Sequence, residues 1–311
     1  NAVFWHESVD GRWKFVINAQ GFRDERDYPY AKTAGRLRVI TLGDSHTQGY
    51  EVHQQETYSA GLENYLRHRK LDAEVFNMGI SGFGTAEILA FLESEGLRYH
   101  PDVVVYGLSS NDFRDSIRAG LYKLQSGRLE VAKREHAPFA GISEAYYALP
   151  PFRWLSEYSY AFSITINTIA NSLRRQSKRA DEEQAALEYA IPVGQMTGVE
   201  QELMRALVAR MYEVCKANGI RLVVMDLPEM VAPRQFKSSV PDEMVPFLRK
   251  HADAYLASQN VFTEYNDVAE FHVPHGHRHI SAFTHAVYAA TLGRTVMDFV
   301  QETDKKKVGK H

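Results

Sequence analysis

The chain has 311 residues, 44% of them hydrophobic, enough for one large core with room for an inserted subdomain. Charged residues make up 24% and the formal net charge is −3, so nothing points to nucleic acid or another polyanion as a partner. The single cysteine, Cys215, excludes an intrachain disulfide framework; its helical setting, Met211-Tyr212-Glu213-Val214-Cys215-Lys216, reads as a packed structural thiol. No run of about 18 apolar residues is present, so no membrane span is expected. The chain opens on Asn1 rather than methionine, the expectation for a processed or trimmed protein.

Residues 1–36 hold two short β-like pieces and the turn-rich stretch Asn18-Ala19-Gln20-Gly21-Phe22, read as an N-terminal cap laid on the main domain. Residues 37–303 follow as that domain. Five segments read as buried strands: Leu37–Leu42, Glu74–Asn77, Asp102–Leu108, Arg221–Leu227 and Val261–Tyr265, each short and rich in β-branched or aromatic residues. Between them the apolar residues take helical spacing, first at Tyr58, Leu62, Tyr65 and Leu66, then at Ile88, Leu89, Leu92 and Leu97. A third set (Leu203, Leu207, Met211, Val214) precedes the fourth strand, and Ala286, Ala289, Leu292, Val296 and Val300 follow the fifth. This alternation predicts an α/β fold with a mostly parallel sheet covered on both faces.

Residues 114–200 break the pattern as a long insertion after the third strand, with an aromatic cluster (Tyr146, Tyr147, Phe152, Trp154, Tyr158, Tyr160, Phe162) and the charged stretch Arg174–Glu183. A lid or substrate-binding subdomain and simple packing decoration are both open there. The run Lys305-Lys306-Lys307 reads as part of a solvated basic tail, 304–311.

Four segments carry chemistry. Ser45, in Leu42-Gly43-Asp44-Ser45-His46, falls on the loop at the C-terminal end of the first parallel strand, where a base could make its hydroxyl a nucleophile. The glycine loop Asn77-Met78-Gly79-Ile80-Ser81-Gly82-Phe83-Gly84 ends the second strand and can aim backbone N–H groups at a developing oxyanion; no lysine follows as in a phosphate loop. Asn111 ends the third strand and could add a side-chain N–H or cap a helix. The segment His272-Val273-Pro274-His275-Gly276-His277-Arg278-His279 offers a general base, or, through the alternation of His275, His277 and His279, a metal site, which is the weaker reading. His46 reads as a loop residue facing solvent, or as a substrate contact or a group that tunes Ser45. The ordered set is stronger than any member, because successive strand ends bring these side chains to one sheet edge.

From about Arg36 to Val300 the sequence resembles the SGNH (GDSL-like) hydrolase superfamily. Gly43-Asp44-Ser45 with Gly49 matches its nucleophile block, Asn77-x-Gly79-x-x-Gly82 its second, the Gly107 to Asn111-Asp112 segment its third, and His279-Ile280-Ser281-Ala282-Phe283-Thr284-His285 its last, with Thr284 in place of a glycine. The resemblance implies a flavodoxin-like three-layer α/β/α fold, Ser45 as nucleophile, His279 as base, and an oxyanion hole of the Ser45 and Gly82 N–H groups with the Asn111 side chain. It implies no cofactor and no metal. The segment Ile17 to Arg23, with Tyr28-Pro29, is similar to bacterial envelope-associated members, some from polysaccharide-processing systems. That implies a periplasmic or extracellular setting, membrane association only through an anchor ahead of Asn1, and a carbohydrate O-acyl (acetyl) ester as substrate.

The sequence departs from the family at Gly276, where an aspartate is usual. Three accounts follow: an acid from elsewhere, with Asp226, Glu229, Asp267 and Glu270 as candidates; a Ser–His dyad oriented by a backbone carbonyl; or lost or changed hydrolytic activity. The rival functions are an O-acyltransferase using the same residues on a glycan and a catalytically weak glycan-binding protein. Oligomeric state is not legible.

Overall fold

A computed structural model describes residues 2–132, 197–275 and 278–308, together with a few single positions between 151 and 165. The aromatic cluster (apart from Trp154), the charged stretch 174–183 and Gly276 lie outside the described residues.

Five parallel strands form the central sheet: β3 (Leu37–Leu42), β4 (Ala73–Asn77), β5 (Val103–Leu108), β8 (Arg221–Asp226) and β11 (Ala254–Leu256), in the order β11-β8-β5-β3-β4. The middle strands are buried on both faces, which is why Leu-Arg-Val-Ile-Thr-Leu and Val-Val-Val-Tyr-Gly-Leu are near-continuous apolar runs rather than alternating ones. On one face pack α3 (Thr85–Ser94), α4 (Asp112–Ala119) and α5 (Thr197–Ala217), through Leu89, Leu92, Ile117, Leu203, Leu207 and Met211. The other face is covered by α2 (Tyr58–His68) and α8 (Ala282–Val308), through Leu62, Leu66, Tyr288, Leu292 and Val296. This is the three-layer α/β/α arrangement of SGNH hydrolases. Cys215 is fully buried in the first of these cores, and burial raises its thiol pKa to about 12.

The fifth strand is not where the sequence suggested. Val261–Tyr265 forms the end of a short helix, α7 (Ser258–Phe262), and a 3₁₀ turn (Thr263–Tyr265); the edge strand is the three-residue β11. Phe262 meets the core from the helix, edge-on to Phe271 and Tyr288, so its burial satisfies the same hydrophobic demand without a strand. A β-rich composition reports a fit to a half-buried surface more than a backbone preference.

The N-terminal pieces form an antiparallel hairpin, β1 (Ala2–Ser8) and β2 (Gly11–Ile17), in which Trp13 and Phe15 turn inward and Arg12 and Lys14 outward. Ring contacts of Phe15 and His6 with Tyr50 tie the hairpin to the loop after β3. Another hairpin, β6 (Tyr122–Gln125) and β7 (Arg128–Val131), follows α4, and β9 (Pro228–Ala232) pairs with β10 (Gln235–Ser238) beyond β8. The last helix runs on through Val308, into the stretch expected as a tail. No helix among the described residues is long and apolar enough to cross a membrane.

Candidate active site

The chain leaves β3 for β4 on one side and reaches β5 on the other, so the strand order reverses at the C-terminal end of β3, where open α/β sheets bind ligands. Ser45 stands there, not on an open loop but on the first residue of a one-turn helix, α1 (Ser45–Gln48). Asp44 caps that turn, its Oδ1 accepting the His46 N–H at 2.9 Å. Gly43 is required for close approach: a Cβ there would meet Thr47 Oγ1 at 2.0 Å. The β4 loop is tied to this turn, with Ile80 N–H donating to Gly43 O at 2.9 Å and the Asn77 side-chain amide donating to Thr47 O at 2.9 Å.

His279 arrives from the segment before α8. Ser281 caps that helix, its Oγ accepting the Thr284 N–H at 3.3 Å. The Val273 N–H donates to His279 O at 2.9 Å. His279 Nε2 lies 2.9 Å from Ser45 Oγ, a hydrogen bond across 234 positions of sequence. On the opposite side of the ring, Nδ1 lies 3.1 Å from Glu51 Oε2. Serine hydroxyl, imidazole and carboxylate thus stand in one line, the arrangement in which a carboxylate fixes the imidazole so that Nε2 can take the serine proton.

The carboxylate is none of the four expected. Asp226 is fully buried at the end of β8, with burial raising its pKa, and accepts from Ser238 Oγ at 2.7 Å, Ser258 Oγ at 2.7 Å and the Ser239 N–H at 3.0 Å. Glu229 pairs with Lys237, Asp267 accepts from the Gln235 amide, and Glu270 pairs with Arg234. The candidates lay at the end of the fourth strand and in the segment before the histidines, whereas Glu51 lies six residues beyond Ser45. Glu51 is in the left-handed region, φ 65°, a strained conformation for a side chain that is wholly buried.

His46 is half-buried and does not face open solvent. Its Nδ1 accepts the Ile280 N–H at 3.3 Å, and its ring is 5.0 Å from that of His279. Burial lowers its pKa to about 4, so it is neutral at pH 7 and holds the Ile280 backbone beside His279.

The expected oxyanion donors lie at the adjoining strand ends. Gly82 occupies an exposed turn at φ 86°, which favours glycine. Asn111 stands before α4 but makes no capping bond; its amide donates to Asp115 Oδ2 at 3.0 Å and Asp44 Oδ2 at 3.3 Å, and its carbonyl accepts from Ser109 Oγ at 2.9 Å. Beneath it Asp112 is fully buried, and desolvation together with Asp44 pushes its pKa well up. Tyr106 and the Ser109 N–H donate to its Oδ2 at 2.8 and 3.0 Å.

Of the other histidines, His272 bonds Pro228 O at 2.8 Å and His275 pairs with Asp10 at 2.9 Å, while His277 lies outside the described residues. His275 and His279 therefore have separate partners, and among the described residues no three His, Cys, Asp or Glu side chains are grouped to hold a metal.

Among solved structures, the chain is similar to the esterase EstA from Pseudoalteromonas sp. (11% identity, 85% of this chain and 98% of that one, TM-score 0.42). It is also similar to an acetyl-xylooligosaccharide esterase from Geobacillus (14% identity, 83% and 93%, TM-score 0.45) and to an acetyl xylan esterase (13% identity, 84% and 100%, TM-score 0.46). No curated protein sequence matches it significantly. The profile of the GDSL-like Lipase/Acylhydrolase family matches residues 41–255, from the strand that ends at the Ser45 turn to the edge strand of the sheet. The chain belongs to the GDSL-like lipase/acylhydrolase family, the SGNH hydrolases.

Proposed function

We propose that this protein is a serine esterase in which Ser45 is the nucleophile, His279 the general base and Glu51 the acid of the triad. The observation that carries the reading is the continuous chain from Ser45 Oγ through His279, at 2.9 and 3.1 Å, to Glu51. Ser45 Oγ attacks the acyl carbonyl carbon as its proton passes to His279 Nε2, and the buried Glu51 carboxylate stabilises the imidazolium. The negative charge on the carbonyl oxygen is met by the Ser45 and Gly82 N–H groups and by an Asn111 N–H turned from its carboxylate partners. Collapse releases the alcohol, which takes the proton from His279. Water then attacks the acyl-enzyme with the same base, freeing the carboxylic acid and Ser45. Glu51 supplies the carboxylate missing at position 276, which supports a hydrolytic enzyme over a weak glycan-binding protein.

The substrate class is an O-acyl, chiefly O-acetyl, ester of a carbohydrate in the cell envelope. Its support is the likeness of the segment Ile17 to Pro29 to envelope-associated SGNH proteins. The test is hydrolysis of an aryl acetate, an acyl-chain series and acetylated sugars by wild type and Ser45→Ala. We expect acetate release without an acceptor, preference for short acyl chains, and a loss of about 10⁴-fold or more in Ser45→Ala. Equal turnover by both proteins would sink the assignment, and a marked acceleration by added polysaccharide would reassign the reaction to acyl transfer.

A further inference from the structure

We propose that the N-terminal hairpin is a working part of the esterase, bracing the loops that carry Glu51 and His279, with His6 as a positioning residue for the Glu51 carboxylate. The proposal rests on the reading of Ser45, His279 and Glu51 as a triad.

The Glu51 side chain is 0% exposed. A carboxylate so enclosed needs donors on both oxygens. His279 faces Oε2; the imidazole facing Oε1, at 3.5 Å, is His6 of β1. That ring is itself fixed, 4.2 Å from the Tyr50 ring and stacked at 5.7 Å on Trp13. The loop backbone is gripped from the same N-terminal region. The Arg23 guanidinium, buried, donates to Gly49 O and to Val52 O (2.7 Å), on either side of the left-handed Glu51. Burial lowers its pKa to about 10, which leaves it charged at neutral pH.

The other end of the hairpin holds the other loop. Asp10, at the β1–β2 turn, accepts the backbone N–H of His275 at 3.0 Å and faces its ring at 2.9 Å. One hairpin therefore touches the acid's loop through His6 and the base's loop through Asp10. A catalytic geometry tolerates only about half an ångström of error, and small displacements of a catalytic group cost up to about 10²-fold in rate.

The experiment is aryl acetate hydrolysis and thermal melting of His6→Phe, His6→Gln, Glu51→Gln and the double variant His6→Phe/Glu51→Gln. Phenylalanine keeps the contacts with Trp13 and Tyr50 but donates nothing to Glu51; glutamine keeps an N–H. We expect kcat of His6→Phe to fall roughly tenfold with KM and the melting midpoint little changed, and His6→Gln to recover most of that loss. In the Glu51→Gln background His6→Phe should add no further loss, because the group it positions is already disabled. Wild-type kcat in His6→Phe, or an equal loss in both backgrounds, overturns the proposal. Should His6→Phe fail to fold, Asp10→Ala at the hairpin turn, which removes both contacts with His275, decides instead: a lowered kcat at unchanged KM supports the brace, and an unchanged kcat overturns it. If Glu51→Gln and Ser45→Ala both turn over normally, the triad reading itself has failed; if both are inactive while His6→Phe is normal, only the brace has failed.

Discussion

Glu51 lies in the turn that follows the short helix opened by Ser45, and the two side chains meet opposite nitrogens of one imidazole, His279. On the proposed reading the acid comes from the residues that follow the nucleophile, while the base comes from the far end of the chain.

Glu51→Gln should lower kcat on an aryl acetate by about 10² to 10⁴-fold with KM near wild type, because an amide that donates to Nδ1 holds the wrong imidazole tautomer and does not stabilise the imidazolium. Glu229→Gln, Asp267→Asn and Glu270→Gln should stay within about twofold of wild type, since their partners are Lys237, Gln235 and Arg234. Asp226→Asn should leave kcat intact and cost about 1–3 kcal/mol of stability, read by urea titration, because it disturbs a buried acceptor shared by three serines. A kcat collapse in Asp226→Asn with normal Glu51→Gln would reverse the assignment.

Asn111→Ala should lower kcat about 10²-fold through loss of one oxyanion donor. Its amide also holds Asp44, which caps the Ser45 turn, so steady-state kinetics should be read beside the melting temperature. An unchanged kcat would assign Asn111 to holding Asp44 alone.

His285 gives a pH prediction. It is fully buried, its Nδ1 accepts the Tyr58 N–H at 3.1 Å, and burial lowers its pKa from 6.5 to about 3. The unfolded chain therefore binds a proton below pH 6.5 that the folded protein refuses. Stability should be full above pH 6.5 and fall progressively as the pH drops toward 3. In His285→Gln, which keeps an acceptor for Tyr58, the acid loss measured by chemical denaturation at pH 7, 5.5 and 4.5 should be smaller. Parallel curves for the two proteins would count against it.

Arg38→Met should destabilise the fold by about 3–5 kcal/mol in urea unfolding. The Arg38 guanidinium is buried and donates to Glu74 Oε1 at 2.7 Å and to the carbonyls of Tyr30, at 2.9 Å, and Ala31, at 2.8 Å. Methionine fills the volume but takes the close guanidinium from a buried carboxylate, which keeps Arg36 at 3.9 Å. The double variant Arg38→Met/Glu74→Leu should regain much of the loss.

What the sequence disclosed follows from burial. β3, β5 and β8 are legible because strands covered on both faces must be apolar throughout, and the helices because each buries one stripe against them. β11 was hidden: three half-buried residues, Ala254, Tyr255 and Leu256, carry no period, and the richer Val261–Tyr265 drew the assignment away. Ser45 and His279 lay within recognisable segments. Glu51 had no such mark, since a loop residue that reaches a partner 228 positions away obeys no spacing rule. Its only local signal, an acid two residues beyond Gly49, is one that many turns share.

The arrangement of Glu51 also changes what the segment 273–279 is free to become. Where base and acid share a turn, its length and sequence are bound by two simultaneous distances. Here this segment carries His279 but not the proposed acid, so apart from His275, which Asp10 holds, its residues can be exchanged in an engineered variant without removing Glu51. The burden shifts to the five residues between Ser45 and Glu51, where a single insertion would pull nucleophile and acid out of step with the same ring.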